Sequence, residues 1–570
     1  MNSAVVRFRR LAISAFFSIL AGALVLAPGQ GADVKGRAFA AEVGPRAKPG
    51  APAAVEFGVP GRPGCTSIMV GRLATVDGSV ITSQTVDGSY RTWMEISPHR
   101  KNEAGAKAKI YTGRMATRIP DDQRGLKLTG EIPEVPESYS FFNTAYPAAN
   151  EHQLGMGETT VVGRWELRNP QGVFPIEEIQ RLMLERCTTA REAIRLADEL
   201  TKTYGYIDYG ECLTIADTKE VWHFEILGAT KKYVGAVWAA VRIPDDHVGV
   251  SANALRIGEL NLRNTDYFMA SKNVFALAEE MKWWDPKSKE PFKFYKVYGG
   301  KKSNHWHYRE WRVLSLAAPS LNLDPNAEEL SFSVKAEKKI SVRDVIAWFR
   351  DTYENTPFDC MPKLLVKDRK GNLVQSPIVS PWMSSDLKNL LNSLKPDSAP
   401  THYTIANNTT SYSTVIQARA WLPDPVGGLI WLAFDNPAQT ARIPLFCGIA
   451  ELPPSFKIGN QNGFTTGSAA WAFRRAARLA QLGWGKCRDI VDNLIKDVEN
   501  RAFAEIPLIE KSSLDLYAQN PEKARAFLTA YCRDFALAVT QRYWDLGDEL
   551  WDLFTFYDFF FSPEERRKWR

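Results

Sequence analysis

The sequence predicts an α+β fold, in which antiparallel strands and helices occupy separate blocks of the chain. Short apolar runs bounded by turn residues indicate the strands, and apolar residues at helical spacing behind capping residues indicate the helices. A helical block fills the end of the chain. The chain has 570 residues, 45% of them hydrophobic and 11% aromatic, so it can bury a large core. Separate blocks of this kind are typical of layered α+β proteins.

The first strands flank an Asp-Gly pair near the start of the folded part. The runs SIMV at 67–70 and SVIT at 79–82 lie on either side of Asp77-Gly78, a pair typical of hairpin turns. Cys65 is therefore expected to begin the first strand. Turn-bounded apolar character predicts further strands at 212–217, 221–227, 233–243, 413–421, 428–434 and 441–449.

Capping residues mark the predicted helices. Thr189 and Glu192 form a capping box that divides the region 175–203 into two helices. Ser341 caps a helix expected to run over 342–355, and a last helical block begins at Thr465.

The aromatic C-terminal segment is also expected to be helical. Its apolar residues lie on overlapping helical faces, which predicts a helix packed on the core: Trp544, Leu550, Trp551 and Phe554. A subunit interface is the alternative, and a homo-oligomer would use it.

The first 40 residues predict a secretory signal peptide. Three arginines precede the apolar run 11–27, and Ala38-Phe39-Ala40 offers a small-x-small cleavage site. The run is shorter than the roughly 20 residues that a membrane-spanning helix needs. An uncleaved N-terminal anchor is the alternative. Residues 41–64, rich in Ala, Pro and Gly, predict a pro-segment or linker. The processed protein is expected to be periplasmic or secreted and not an integral membrane protein.

Charge argues against a nucleic-acid partner. Residues 1–64 hold eight Lys or Arg and three Asp or Glu, so their removal lowers the formal net charge from +6 to +1. Binding to phosphates needs a positive surplus on some face, and no stripe of basic residues interleaved with aromatics supplies one.

Metal and nucleotide motifs are missing from the sequence. It contains no H-E-x-x-H, no phosphate loop and no G-x-S-x-G. The G-x-G in LGMGETTVVG fails the remaining positions of a dinucleotide fingerprint and is interpreted as a tight turn. His305 and His307 lack nearby carboxylate or Cys partners, which favours a solvated or core pair over a metal site.

Cys65 is the residue around which the chemistry is predicted. Proteolysis between Gly64 and Cys65 would place an α-amine on the residue that carries the thiol. An α-amine has a pKa of about 7.7 to 8.0 and can accept the thiol proton near neutral pH, so one residue would supply both nucleophile and base. On composition alone, the alternative is a buried cysteine at the end of a strand.

Six segments carry a resemblance to a known family. In chain order over 65–460 they are CTSIMVGRLATVDGSVIT, AANEHQLGMGETTVVGRWELR, GAVWAAVRIPDD, SANALRI, TPFD and ARAWLPDPVGGLIW. Together they resemble the dipeptidase A family of cysteine-type N-terminal-nucleophile hydrolases. The resemblance implies a four-layer αββα sandwich over 65–460 with a C-terminal helical extension over 461–570. It also implies self-processing before Cys65 and hydrolysis of dipeptides, with no metal or organic cofactor.

The resemblance also assigns roles to residues around Cys65. It implies that Asp87 holds the Cys65 amine and that the side chain of Asn253 donates to the oxyanion. Arg312 is expected to steady the site, with a surface ion pair as its alternative.

Two positions depart from the bile salt hydrolase type of the wider superfamily. Gln84-Thr85 stand where that type carries Arg-Asn, which removes a cation that would lower the thiol pKa. Thr159 or Thr160 stands where that type has a second asparagine, so a hydroxyl or backbone N–H would have to donate to the oxyanion instead.

Glu158 is a candidate substrate-binding residue. A dipeptidase needs a carboxylate for the free ammonium of its substrate, and Glu158 precedes the expected oxyanion region. Its alternative is a structural carboxylate buried against Arg164, because buried acids are normally paired.

Two other functions remain open at this point. One is an acylase that uses the same chemistry on N-acyl amides. The other is an exported binding protein that keeps the fold without catalysis, a reading motivated by the 17 tryptophans and by the change at Gln84-Thr85.

Overall fold

The computed structural model describes residues 64–299, 307–368 and 370–555. The predicted signal peptide, the pro-segment before Gly64, His305 and the aromatic residues after Thr555 lie outside these ranges. The strands are β1 Ser67–Val70, β2 Val80–Asp87, β3 Glu95–Ser97, β4 Arg100–Lys101, β5 Lys107–Thr112, β6 Lys127–Pro133, β7 Glu137–Ser138, β8 Phe141–Asn143, β9 Gly155–Thr160, β10 Glu211–Ala216, β11 Val221–Gly228, β12 Ala236–Arg242, β13 His247–Ser251, β14 Phe268–Ala270, β15 Ser333–Lys335, β16 Leu365–Lys367, β17 Leu373–Gln375, β18 Thr410–Ala418, β19 Leu429–Phe434 and β20 Ile443–Phe446.

The helices follow the predicted blocks in most places. They are α1 Ile176–Arg186, α2 Ala190–Tyr204, α3 Ala276–Glu280, α4 Phe294–Gly299, α5 Tyr308–Ala317, α6 Val342–Trp348, α7 Ser385–Leu394, α8 Asp424–Gly427, α9 Ala469–Gln481, α10 Trp484–Gln519 and α11 Pro521–Thr555. The predicted capping box at Thr189 is present and opens α2. No helix in the described ranges combines the length and the apolar character needed to cross a membrane.

Two antiparallel sheets form the centre of the molecule. The larger has seven strands in the order β15-β13-β1-β2-β18-β19-β20, and the smaller has five in the order β14-β12-β11-β10-β9. Strand β2 of the larger sheet packs against β9 and β10 of the smaller one. The mixture of helices with antiparallel sheets confirms the predicted class.

Helices pack on both sheets. Helix α2 packs on β10, β11 and β12, whereas α9, α10 and α11 pack on β19 and β20. One hydrophobic cluster extends from Leu182 in α1 through Ile416 in β18 to Leu528 in α11. On α11 itself, Leu550 is buried and Trp551 is 58% exposed.

The tight turn predicted in LGMGETTVVG is wrong, because this segment is the edge strand β9. Its glycines, Gly155 and Gly157, allow the two sheets to pack closely against each other. A Cβ on Gly157 would collide with the carbonyl of Ser83 and the hydroxyls of Ser67 and Thr214. Only glycine lets the backbones lie so close at this point.

The helix predicted over 342–355 is shorter than expected and ends at Trp348. The side chain of Asp351 accepts a hydrogen bond from the N–H of Tyr353 at 2.7 Å, and Tyr353 has a left-handed backbone with φ of 65°. Such local bonds from Asp offer the backbone an alternative to the helix.

Candidate active site

The sheet register brings two of the predicted residues to Cys65. Ser67 of β1 pairs with Ser251 of β13, so the antiparallel register continued by two residues places Cys65 opposite Asn253. On the other side of β1, the N–H of Asp87 donates to the Cys65 sulfur at 3.5 Å. Cys65, Asp87 and Asn253 therefore meet at one end of three neighbouring strands.

The Cys65 thiol is enclosed and lies among negative groups. The residue is 1% exposed. Burial is the main cause that raises the pKa of the Cys65 thiol well above its ordinary value, and the charges of Glu158 and Asp87 raise this pKa further. In the chain with its Gly64–Cys65 bond intact, the thiol is therefore protonated at neutral pH. A base must remove this proton before the sulfur can attack.

The Asp87 carboxylate is held on both oxygens. Thr410 donates to it at 2.6 Å and the Tyr403 hydroxyl donates at 2.8 Å. The same Tyr403 oxygen accepts the N–H of Gly64 at 3.0 Å. A short chain of hydrogen bonds thus links Asp87 to the residue before Cys65.

Asp87 carries a testable dependence of stability on pH. Burial raises the pKa of this carboxyl to about 6, whereas an unfolded Asp has a pKa of about 3.9. The folded chain therefore binds this proton more tightly, and the contribution of Asp87 to stability increases as the pH falls through 6 towards 4. We expect Asp87→Asn to raise the free energy of unfolding at pH 8 by on the order of 2 kcal/mol.

This gain should disappear near pH 4, where Asp87 is protonated in the folded chain and about half protonated in the unfolded chain. Urea unfolding at pH 8, 6 and 4, with both proteins carrying Cys65→Ala so that they stay unprocessed, measures it. A gain of the same size at all three pH values would contradict the assignment.

The Asn253 side chain has a fixed orientation. Its Oδ1 accepts a hydrogen bond from Arg309 at 2.9 Å, and its Nδ2 donates to the carbonyl of Thr160 at 2.8 Å. Because guanidinium has only donors, the amide atom that faces Arg309 must be the oxygen. A Cβ at position 64 would overlap this amide, so it lies directly against Gly64. The amide has a second N–H, and among the described residues this N–H has no hydrogen-bond partner.

The loop that carries Asn253 has a strained backbone and is held by hydrogen bonds to a neighbouring strand. Asn253 has a left-handed backbone with φ of 65°. Soon after it, the N–H groups of Arg256 and Ile257 donate to the buried Glu225 carboxylate at 2.5 and 3.3 Å. These bonds to β11 fix the turn after β13 and with it the position of the Asn253 amide.

The arginine beside Cys65 is Arg309 and not the expected Arg312. From the start of α5, Arg309 donates to the carbonyls of Gly64 at 2.8 Å and of Cys65 at 2.6 Å. One turn later, Arg312 forms an ion pair with Asp351 at 2.8 Å, its stated alternative. Both arginines belong to the segment YREWR, which is not one of the six segments that carry the family resemblance. The sequence alone therefore does not show which of the two lies at Cys65.

The remaining sequence candidates lie along β9. The Thr159 hydroxyl bonds to that of Ser251 at 2.6 Å, whereas the Thr160 hydroxyl donates to Glu158 at 3.2 Å. The Glu158 carboxyl is fully buried and lies against the Cys65 thiol. Arg164 is not its partner, since Arg164 donates to the carbonyl of Val297 and stacks over Trp283.

The departure at Gln84-Thr85 has a structural role in this chain. The side-chain amide oxygen Oε1 of Gln84 accepts a hydrogen bond from the N–H of Glu158 at 2.8 Å. The Thr85 hydroxyl accepts a hydrogen bond from the N–H of Thr66 at 2.9 Å. These two side chains tie β9 and β1 to β2. The position that a cation would occupy in the other type is thus filled by neutral groups.

Sequence reasoning missed Arg309, Tyr403 and Glu211. Tyr403 lies in a loop before β18, far along the chain from Cys65, and the sequence offers no local signal for it. Glu211 begins β10, directly before the strand that was predicted from 212, and its carboxyl lies against that of Glu158. An acidic residue directly before an apolar strand segment is the sequence signal that could have identified Glu211 as a candidate.

The chain is similar to known proteins over most of its length. A family model described as Peptidase family C69 matches residues 64–497, which is more than half of the chain and includes Cys65, Asp87 and Asn253. The chain belongs to peptidase family C69. This C69 protein is therefore a peptide hydrolase.

Several curated relatives of this C69 peptidase carry related names. A probable dipeptidase of Latilactobacillus sakei is 24% identical over 509 residues, which cover 85% of this chain and 94% of the relative. A probable dipeptidase B of Lactococcus lactis subsp. lactis (strain IL1403) is 26% identical over 69% of this chain and 76% of its own length. Dipeptidase A of Lactobacillus helveticus is 21% identical, over 78% of this chain and 90% of the relative.

Proposed function

We propose that the protein is an exported dipeptidase whose nucleophile is an N-terminal Cys65, exposed when the chain cleaves its own Gly64–Cys65 bond. The observation that carries the proposal is the environment of that bond. Arg309 donates to the carbonyls on both of its sides, and the Asn253 amide occupies the space where any residue but glycine at 64 would place its Cβ. The peptide is thus presented to the sulfur and to an oxyanion donor together.

Cleavage changes the electrostatics of the site. The bond to Gly64 breaks and Cys65 gains an α-amine, close to the Tyr403 hydroxyl and the Asp87 carboxylate that lie beside Gly64 in the intact chain. A cation at this place favours the ionised form of Asp87 and opposes the charges that raise the thiol pKa. The amine takes the thiol proton because its own pKa lies near neutrality.

The hydrolytic cycle then follows from the geometry. The thiolate attacks the carbonyl carbon of the substrate, and the oxyanion is stabilised by Asn253 Nδ2 and by a donor from β9 near Thr159 or Thr160. The Cys65 ammonium returns the proton to the leaving nitrogen, so the first product departs as an amine. Water hydrolyses the thioester, which releases the second product as a carboxylate and restores the thiol.

We further assign the fold to the four-layer αββα sandwich of the N-terminal-nucleophile hydrolases. The packing of β2 against β9 and β10, together with helices packed on both sheets, supports this assignment. Residues 1–40 are the proposed signal peptide and 41–64 the segment removed on maturation. Residues 65–460 form the proposed hydrolase domain, and 461–570 the helical extension on its core.

Mass determination of the mature protein, combined with substrate assays, tests the proposal. We expect a chain that begins at Cys65 and hydrolyses dipeptides faster than N-acyl amino acids. A chain that begins at Cys65 but prefers N-acyl substrates would identify an acylase, and one inert on both would favour the binding protein. Full activity in a chain that begins elsewhere would contradict the mechanism.

A further inference from the structure

Two buried glutamates lie together beside the proposed nucleophile. Thr160 of β9 pairs with Glu211 of β10, so Glu158, two residues before Thr160, lies diagonally across from Glu211 on the same face of the sheet. Long side chains at such diagonal positions reach each other. The two carboxyls are in contact, and Glu158 and Glu211 are 0% and 6% exposed.

The pair lacks a neutralising partner within the described part of the chain. One oxygen of each carboxyl, Oε2, has no hydrogen-bond partner there. The titratable groups that interact with the pair include an acid, a thiol and phenols: Asp208, Cys65, Tyr90, Tyr146 and Tyr206. An unpaired buried carboxylate is costly, and two adjacent ones do not both ionise. Burial and their mutual repulsion raise the pKa of both carboxyls, so near neutral pH the pair carries at most one negative charge.

The position of this charge fits one part of a dipeptide. The α-nitrogen of a dipeptide is separated from the scissile carbonyl carbon by only one atom, Cα, at a distance of about 2.5 Å. When the Cys65 sulfur reaches that carbon, the ammonium must lie within a few ångströms of the sulfur. The Glu158 carboxyl already lies against this sulfur. The Asn253 side chain donates a hydrogen bond to the carbonyl of Thr160, and the Thr160 hydroxyl donates one to the Glu158 carboxyl. These two bonds fix the distance between the proposed oxyanion donor and the carboxyl.

An organic cation suits the pair better than a metal ion. In the described ranges no group of three or more His, Cys, Asp or Glu side chains is arranged to hold a metal. An ammonium needs two or three acceptors, and the two unpartnered Oε2 atoms offer two of them.

We propose that Glu158 and Glu211 together bind the α-ammonium of the substrate, and that this binding also activates Cys65. The inference rests on the proposed function of Cys65. While the site is empty, the negative charge of the pair disfavours the thiolate. A bound ammonium neutralises this charge, so the thiolate forms readily only when a substrate with a free amino group is present. An N-blocked substrate leaves the charge in place and meets a less reactive sulfur.

The test compares alanyl-alanine with propionyl-alanine, which differ only in the α-amino group. For the double variant E158Q/E211Q in the full chain, we expect the KM for alanyl-alanine to rise at least about tenfold, the cost of losing a charge-assisted hydrogen bond. The KM for propionyl-alanine should stay within about threefold. Glu185→Gln is the matched control, since Glu185 is buried and pairs with Arg181 away from Cys65.

A second measurement does not depend on turnover. Iodoacetamide alkylation of Cys65, followed over pH by mass spectrometry of its peptide, reports the thiol pKa. We expect E158Q/E211Q to shift the midpoint to lower pH and Glu185→Gln to leave it unchanged. The single variant E158Q leaves the remaining charge on Glu211, which raises the pKa of the Cys65 thiol less than Glu158 does. It should therefore shift the midpoint by a smaller amount in the same direction.

The outcomes separate this inference from the proposed function. Equal rises in KM for both substrates, or an unchanged alkylation midpoint in the double variant, would overturn the inference alone. A wild-type protein that begins at Cys65 but cleaves neither substrate would contradict the proposed function instead. If the double variant does not fold, E158Q decides the question through its alkylation profile.

Discussion

Cys65→Ala is expected to abolish peptide hydrolysis, with a loss of kcat/KM on the order of 10⁴-fold or more. The variant lacks the sulfur that we propose attacks both the substrate and the Gly64 carbonyl. It should therefore also keep its Gly64–Cys65 bond. Dipeptide hydrolysis and intact mass, measured on the same preparation, check both effects.

Cys487→Ala is the matched control, because Cys487 is also a buried, unpaired cysteine but lies in α10. It should be processed normally and keep its kcat/KM within about twofold, since removing a single buried sulfur elsewhere changes local packing only. Rapid hydrolysis by Cys65→Ala, or its processing at the same bond, would remove Cys65 from the mechanism.

Arg309→Met is expected to have the second largest effect. Its guanidinium donates to five acceptors around the nucleophile: the carbonyls of Gly64, Cys65 and Ala252, the Thr66 hydroxyl and the Asn253 amide oxygen. Each buried acceptor left unpaired costs about 1–3 kcal/mol. We expect kcat/KM to fall on the order of 100-fold, as when an oxyanion donor is lost. Urea unfolding should show a lower stability.

Arg312→Met separates the two arginines of the same helix. Arg312 bonds to Asp351 and to the carbonyl of Glu354, both away from Cys65. A partly exposed ion pair of this kind contributes about 1 kcal/mol or less, so kcat/KM should change by no more than about twofold. A larger loss of kcat/KM in Arg312→Met than in Arg309→Met would contradict a role for Arg309 in catalysis.

Local patterns predicted most of the elements that form the two sheets. The runs at 67–70, 212–217 and 221–227 became strands β1, β10 and β11 because turn residues bound them on both sides. Predictions failed where long-range contacts decide the conformation. Gly155 and Gly157 signal a turn by themselves, yet they form a strand because another sheet lies directly above them.

The site was predictable only as far as the family motifs extend. Cys65 and Asn253 belong to two of the segments that carry the resemblance, Asp87 follows shortly after the first of them, and the strand register brings all three together. Arg309, from helix α5, and Tyr403, from the loop before β18, also lie at the Cys65 site. The sequence around each of them carries no motif that predicts this position. Their distance along the chain from Cys65, 244 residues for Arg309, hides them from any local pattern.

The C-terminal helices share their interior with the larger sheet. The Tyr543 hydroxyl accepts the N–H of Ala441 at 2.7 Å, and the ring of Phe503 stacks on Trp431 at 4.3 Å. A chain truncated before these helices would expose apolar residues of β19 and β20 that are buried in the complete protein. Deletion of the helices is therefore expected to destabilise the larger sheet as well, and to leave an apolar surface that promotes aggregation.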